Sequence, residues 1–266
     1  MLRAAAEAAG VVVHQIGSLR GPEAARAMVE ANADIGIMAF VLQFAPQELV
    51  QIPRHGTIQY HPSLLPRFRG PSSINWPLIK GETMTGLTIF RPTDGLDEGP
   101  VILQREVAIG PDDTLGTIYF DQLFPLGVEA MLEAADLVVT GRHTETIQDD
   151  SQASYEGWCR DAEAKINWHN HADFIHNLIR GCDPAPGAWT TYDGQPLQLF
   201  GSRKHLVHTI GAVRGKIGEL THLSGDSAFI TAHGGQIEVT RARLGDGRKL
   251  PAAEVLAGAV GAILGS

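Results

Sequence analysis

Residues 57–66 read Thr57-Ile58-Gln59-Tyr60-His61-Pro62-Ser63-Leu64-Leu65-Pro66. A short β-prone run, Thr57 to His61, ends in a loop whose prolines cannot donate to a strand ladder. Upstream, helix and strand alternate at short spacing. Met1 to Ala9 has helical composition and is stopped by Gly10, and Val11 to Gln15 reads as a short buried strand. Glu23 to Ala33 is helical again and Ile35 to Phe40 is an apolar strand. This alternation predicts an α/β fold with a Rossmann-like, mostly parallel sheet. Ligands of such sheets sit outside the carboxyl ends of the strands, so a site is expected where His61 enters its loop.

Downstream, a helix is expected around Ser73 to Ile79. Gly86 to Arg91 and Pro100 to Val107 read as a hairpin-like pair, with the turn-prone Pro92 to Gly99 at its tip. Asp112-Asp113-Thr114 offers capping chemistry to a long helical stretch through Ala135, with a break at Pro125. Residues 141–158 are polar and aperiodic and read as a linker between a first domain, residues 1–140, and a second, residues 159–266. The second opens with a helix at Ala172 to Arg180. It continues as short strands at Trp189–Tyr192, Gln195–Phe200, Lys216–Leu220, Ala228–Thr231 and Gln236–Thr240, with Asp193-Gly194 and Gly234-Gly235 as turns. A small β-barrel of OB-like type is the natural arrangement, with a plain sandwich as the alternative.

The 266 residues are 44% hydrophobic, enough for a full core, and carry a formal charge of −9. That charge argues against a strongly basic nucleic-acid-binding surface. Arg203, Lys204, Arg214, Lys216, Arg241, Arg243, Arg248 and Lys249 nevertheless leave a local basic patch open. Cys159 and Cys182 lack CxxC spacing and are too few for a disulfide scaffold, which suits a reducing cytosol; Cys182 reads as a packed thiol. No apolar run approaches the ~20 residues of a spanning helix, and Met1 to Gly10, with Glu7, does not read as a signal peptide. A cytoplasmic protein without a membrane partner is expected. His169, His171 and His176 do not share the i, i+4 spacing of a helical ligand pair, so no metal is expected.

Side chains at i and i+2 on a strand share a face, so Gln59 and His61 project together while Tyr60 points away. An amide can donate to a developing oxyanion and an imidazole can move protons, a useful pair for acyl transfer. Asp97, on a glycine-bounded loop, can meet the imidazole and fix its tautomer. Taken alone, each has a bland alternative: a structural strand-end histidine, and aspartates that form turns.

Tyr60 to Gly70 (YHPSLLPRFRG), Ser73-Ile74-Asn75-Trp76, and Asp94 to Gln104 (DGLDEGPVILQ) resemble the formyltransferase family that uses 10-formyltetrahydrofolate. The likeness runs from about Ala33 through Trp189 and more loosely to the end. Tyr155-Glu156-Gly157, Ile166-Asn167-Trp168 and Pro186-Gly187-Ala188-Trp189 are in the style of the amino-terminal hydrolase domain of 10-formyltetrahydrofolate dehydrogenases; methionyl-tRNA formyltransferases are the other near group. The resemblance implies that His61 and Asp97 are catalytic. It also implies that Gln59 stands where the transferases carry asparagine and the hydrolase domains an apolar residue. A folate pocket is implied around Ala39, Phe40 and Phe44, the loop Ser63, Leu64, Leu65 and Pro66, and Thr93, Asp94 and Leu96. The cosubstrate would be 10-formyltetrahydrofolate, without a metal, and the acceptor an amine, with initiator methionyl-tRNA a candidate. Hydrolysis of the same donor to formate and tetrahydrofolate is the second reading, and non-catalytic folate binding a third. Arg67 and Arg69 are expected either to contact an anionic tail or acceptor or to lie in a solvated loop. Family members open with an apolar strand, a glycine loop and a helix that precede the matched segment, so a chain truncated from a longer protein, lacking its first strand, is expected.

Overall fold

The computed structural model describes residues 2–207 and 214–265; Met1, expected at the start of the first helix, lies outside them. Helix α1, Leu2–Ala8, is followed by a run at 11–16, exposed except for the half-buried Val13 and Ile16, that forms no strand. This overturns the expectation for Val11 to Gln15. Their β-branched composition favours a strand only where a ladder and an apolar face receive it, and Val11 and Val12 are 57% and 78% exposed. Helix α2, Pro22–Ala31, begins with proline in its first turn and ends on Asn32 in the left-handed region (φ 43°).

Strands β1, Gly36–Met38, and β2, Thr57–His61, flank the short helix α3, Gln47–Val50. Helix α4, Asn75–Ile79, leads into strands β3, Met84–Phe90, and β4, Val101–Ala108. They form one sheet in the order β1-β2-β3-β4. Parallel pairing is limited to β1 and β2 (Gly36 opposite Thr57, Met38 opposite Gln59), because β2–β3 and β3–β4 are antiparallel. The sheet is therefore mixed rather than mostly parallel. Thr114 caps α5, Leu115–Thr117, through a reciprocal capping box; a π-helical turn, Ile118–Leu123, then continues into α6, Phe124–Val139. Pro125 sits in the first turn of α6, where a missing N–H costs little, so the irregularity expected at Pro125 falls in the turn before it. α6 covers the sheet with Ala130, Ala134 and Val138 against Ile58, Leu87 and Ile89.

The segment 141–158 runs across the first domain. Val101 and Thr146 exchange both backbone hydrogen bonds, at 2.8 and 2.9 Å. Arg69 and Tyr155 form a parallel bridge. Helix α7, Ala172–Gly181, then packs on an antiparallel sheet made of β5, Ala188–Tyr192, β6, Gln195–Leu206, β7, Leu220–Ser224, β8, Ser227–Ala232, and β9, Gly235–Leu244. Its order is β5-β6-β9-β8-β7, with β10, Leu250–Pro251, on β9 and helix α8, Ala252–Val255, after it. The strand expected at Lys216–Leu220 begins only at Leu220, since Gly215 and Gly218 take positive φ and turn the chain first. Ile175 and Ile179 of α7 enter the core formed by Leu197, Leu199, Ile230, Ile237 and Val239.

Buried His176 of α7 ties the two domains together. Its Nδ1 meets Ser202 Oγ and its Nε2 meets the Pro111 carbonyl, both at 2.9 Å. Burial, more than any neighbour, holds His176 below the usual histidine range. Cys159 and Cys182 are free buried thiols with Sγ atoms 3.8 Å apart. The hydrogen bond with Cys159, in which Cys182 keeps its proton, and then burial hold the Cys182 thiol above the ordinary thiol range, as fits a packed thiol. No helix among the described residues is long and apolar enough to cross a membrane.

Candidate active site

Alternation along β2 places Gln59 and His61 on one face, at the strand's carboxyl end. Both open, with Asp97, into a cavity of about 540 Å³. Phe40 and Phe44 after β1, and Thr93, Asp94 and Leu96 after β3, complete much of its wall. The volume lies within the range of small-molecule sites.

His61 is buried, and its Nε2 lies 2.8 Å from the carbonyl oxygen of Phe68. A carbonyl only accepts, so Nε2 carries hydrogen and donates. Proton traffic is thereby confined to Nδ1, which faces the Asp97 Oδ2 at 3.6 Å. Asp97 is buried and receives the Gly70 N–H on the same oxygen at 2.8 Å. Asp94 stays exposed at the rim, so Asp97 is the carboxylate that reaches His61. The loop bends through Asp97 in the left-handed region (φ 57°). Gly99 is required by close approach, since a Cβ there would lie 1.7 Å from the Arg91 carbonyl oxygen.

Gln59 makes no side-chain hydrogen bond among the described residues, which leaves its amide to the cavity. Tyr60 points the other way, towards α6, where its ring would meet any Cβ at Gly127. Burial raises its phenol, with Tyr119 adding to the shift, and its hydroxyl finds no partner among the described residues.

The loop Ser63, Leu64, Leu65, Pro66 does not line the cavity, nor does Ala39. Ser63 Oγ donates to the Arg67 carbonyl at 2.7 Å. Thr88 Oγ1 donates to the Ser63 carbonyl at 2.7 Å and accepts from the Leu65 N–H at 3.1 Å and from Gln104 Nε2 at 2.9 Å. These residues therefore brace the backbone that carries Phe68 and Gly70. Arg67 pairs with Glu82 on the surface. Arg69 corrects both expectations made for it: it is buried and paired inside the protein, neither solvated nor free to take an anionic tail. His169, His171 and His176 do not converge, and no group of three or more metal-ligating side chains occurs among the described residues.

Several residues at the site carried no sequence signal. Trp158, from the 141–158 segment, lines the cavity, as does Tyr119; Asn75, which lines it too, lies in the motif Ser73 to Trp76. Tyr119 meets Phe40 edge-on with ring centroids 6.0 Å apart. Gln148, buried in the same segment, holds the Asp97 loop through its backbone. A polar stretch without period gives no indication of such a contact.

Residues 3–134 match the formyl transferase family, and residues 159–260 match the formyl transferase C-terminal domain. The cytosolic 10-formyltetrahydrofolate dehydrogenase of Xenopus laevis is 45% identical over 181 residues, which are 68% of this chain and 20% of that protein. The chain thus spans about a fifth of the length of such dehydrogenases. The methionyl-tRNA formyltransferase of Geobacter metallireducens is 36% identical over 253 residues, 95% of this chain and 79% of that protein. Among solved structures, HypX from Aquifex aeolicus in complex with tetrahydrofolic acid has a similar fold, with a TM-score of 0.70 at 24% identity, covering 86% of this chain and 40% of that one. With both parts matched in order and the transferase likeness extending over nearly its whole length, this chain belongs to the formyl transferase family.

Proposed function

We propose that this chain binds 10-formyltetrahydrofolate in the 540 Å³ cavity and transfers its formyl group to an amine. The observation that carries the reading is the convergence of Gln59, His61 and Asp97 on one cavity at a strand's carboxyl end. The amine nitrogen attacks the formyl carbon, the bond from that carbon to N10 of the folate breaks, and the proton lost by the amine is returned to N10. The Gln59 amide and the Nδ1–H of a protonated His61 donate to the oxygen that gains charge, while Asp97 stabilises the imidazolium. Phe40, Phe44 and Leu96 offer apolar surface to a flat ring. We read the antiparallel second domain as OB-like, a surface for the acceptor, and the two reduced thiols as suited to a cytoplasmic setting. Initiator methionyl-tRNA is the acceptor suggested by the Geobacter relative. Hydrolysis of the same donor is the second reading, favoured by the 45% identity to the dehydrogenase.

The test supplies formyl-labelled donor with water alone, with small primary amines, and with initiator methionyl-tRNA. A labelled formamide supports transfer and labelled formate supports hydrolysis. A chain that binds the folate yet forms neither product would support the non-catalytic reading and refute the proposal.

A further inference from the structure

We infer that Arg69 and Gln148 are positioning residues for the His61–Asp97 pair, a role that rests on the proposed function of this site only for its consequence in turnover. The three residues Phe68, Arg69 and Gly70 touch both members of the pair. The Phe68 carbonyl fixes His61 Nε2, and the Gly70 N–H fixes the Asp97 carboxylate, at 2.8 Å each. Between them, the Arg69 side chain turns inward. Its Nε and Nη2 donate to Gln148 Oε1 at 3.1 and 2.8 Å, its Nη2 donates to Asp150 Oδ1 at 2.7 Å, and its Nη1 donates to Tyr155 at 2.5 Å. Burial opposes the charge of Arg69, but the hydrogen bonds to Asp150 and Tyr155 outweigh it and hold the guanidinium charged.

Gln148 passes this anchoring to the opposite loop. Its Nε2 donates to the carbonyls of Asp97 and Gly99 at 2.8 and 2.7 Å, and the Tyr155 hydroxyl donates to Glu98. All three residues from Asp97 to Gly99 are held, in a stretch where Asp97 takes a left-handed backbone that is unfavourable for most side chains. One amide therefore joins the loop that orients His61 to the loop that carries Asp97. A small displacement of either would change the 3.6 Å approach of Nδ1 to the carboxylate.

Gln148→Glu tests this, because the carboxylate keeps the shape and the Arg69 contact but cannot donate to the two carbonyls. Two readouts apply: steady-state turnover of 10-formyltetrahydrofolate, and the imidazole 15N shifts of His61 at fixed pH, which need no activity. The expected result is a kcat lowered about 10-fold or more with KM changed less than 3-fold, together with displaced His61 shifts. Thr190→Val is the control. It removes the buried acceptor of the Trp168 indole at 3.0 Å in the second domain, and it should lower stability while leaving the His61 shifts in place. Gln148→Met, of similar volume, guards against a folding defect specific to the carboxylate and should act in the same direction. Parental His61 shifts in folded Gln148→Glu and Gln148→Met overturn the inference. Displaced His61 shifts in the two variants, with a parent chain that does not turn over the folate, would uphold the positioning role and count against the proposed reaction alone.

Discussion

Asp97→Asn removes one charge from the site and changes little else. Asparagine is among the few residues that accept a left-handed backbone, and its side-chain oxygen can still take the Gly70 N–H that Asp97 receives at 2.8 Å. What disappears is the attraction between the carboxylate and a protonated His61 at 3.6 Å. With an effective dielectric of ~20 that attraction is about 4.6 kcal/mol, and relaxation to twice that dielectric halves it. At about 1.36 kcal/mol per tenfold in rate, turnover should fall between roughly 50-fold and roughly 2 × 10³-fold. Asp97→Ala should fall as far in rate but also lose stability. Its left-handed alanine costs about 1–2 kcal/mol, and the stranded, buried Gly70 N–H adds about 1–3 kcal/mol. The assay is release of tetrahydrofolate under single-turnover conditions, run beside thermal unfolding of both variants. A folded Asp97→Asn chain within 3-fold of the parent rate would refute the electrostatic role of Asp97. Equal loss of stability in the two variants would refute the account of the loop.

Gln59→Leu should lower kcat about 10²-fold without loss of stability, because the unpaired amide serves the developing oxyanion rather than the fold; an unchanged kcat in steady-state assays would count against it. Thr88→Val strands the Ser63 carbonyl and the Leu65 N–H behind the cavity wall, so urea unfolding should show a loss of about 2–4 kcal/mol. His176 has its protonation opposed by burial first, then by Arg180 and Lys204, which together outweigh the Pro111 carbonyl and Asp112 that favour it. Its folded-state value lies below the unfolded one, so the stability it contributes is full above about pH 6.5 and is lost as pH falls below that. His176→Gln should therefore flatten the acid side of a Tm-versus-pH curve relative to the parent, and parallel curves would remove the assignment.

Thr57 to His61 and the motif pair around it carried the first domain because strand, turn and glycine requirements are local. Gly99 must be glycine where the Arg91 carbonyl passes, and Asp97 must tolerate positive φ, so composition and conformation coincide there. The run Val11 to Gln15 misled for the complementary reason: β propensity is local, while the ladder that would use it is not. Ser63 to Pro66 marked the site without lining it, because a motif records what holds a catalytic loop as well as what touches a ligand. Arg69 and Gln148 are 79 positions apart, and nothing in either neighbourhood announces that a guanidinium and an amide will be buried against each other. Trp158 reaches the cavity from a stretch whose polar composition resembles a linker.

The central claim is that the Nδ1 edge of His61 acts on a formyl group bound in this cavity. Its most direct measurement is the single-turnover release of tetrahydrofolate from 10-formyltetrahydrofolate by the parent chain and by His61→Ala, with binding of the folate and thermal unfolding measured on both. The account predicts that both chains fold and bind, and that the variant releases product at least ~10²-fold more slowly. Equal release by the two chains would contradict it.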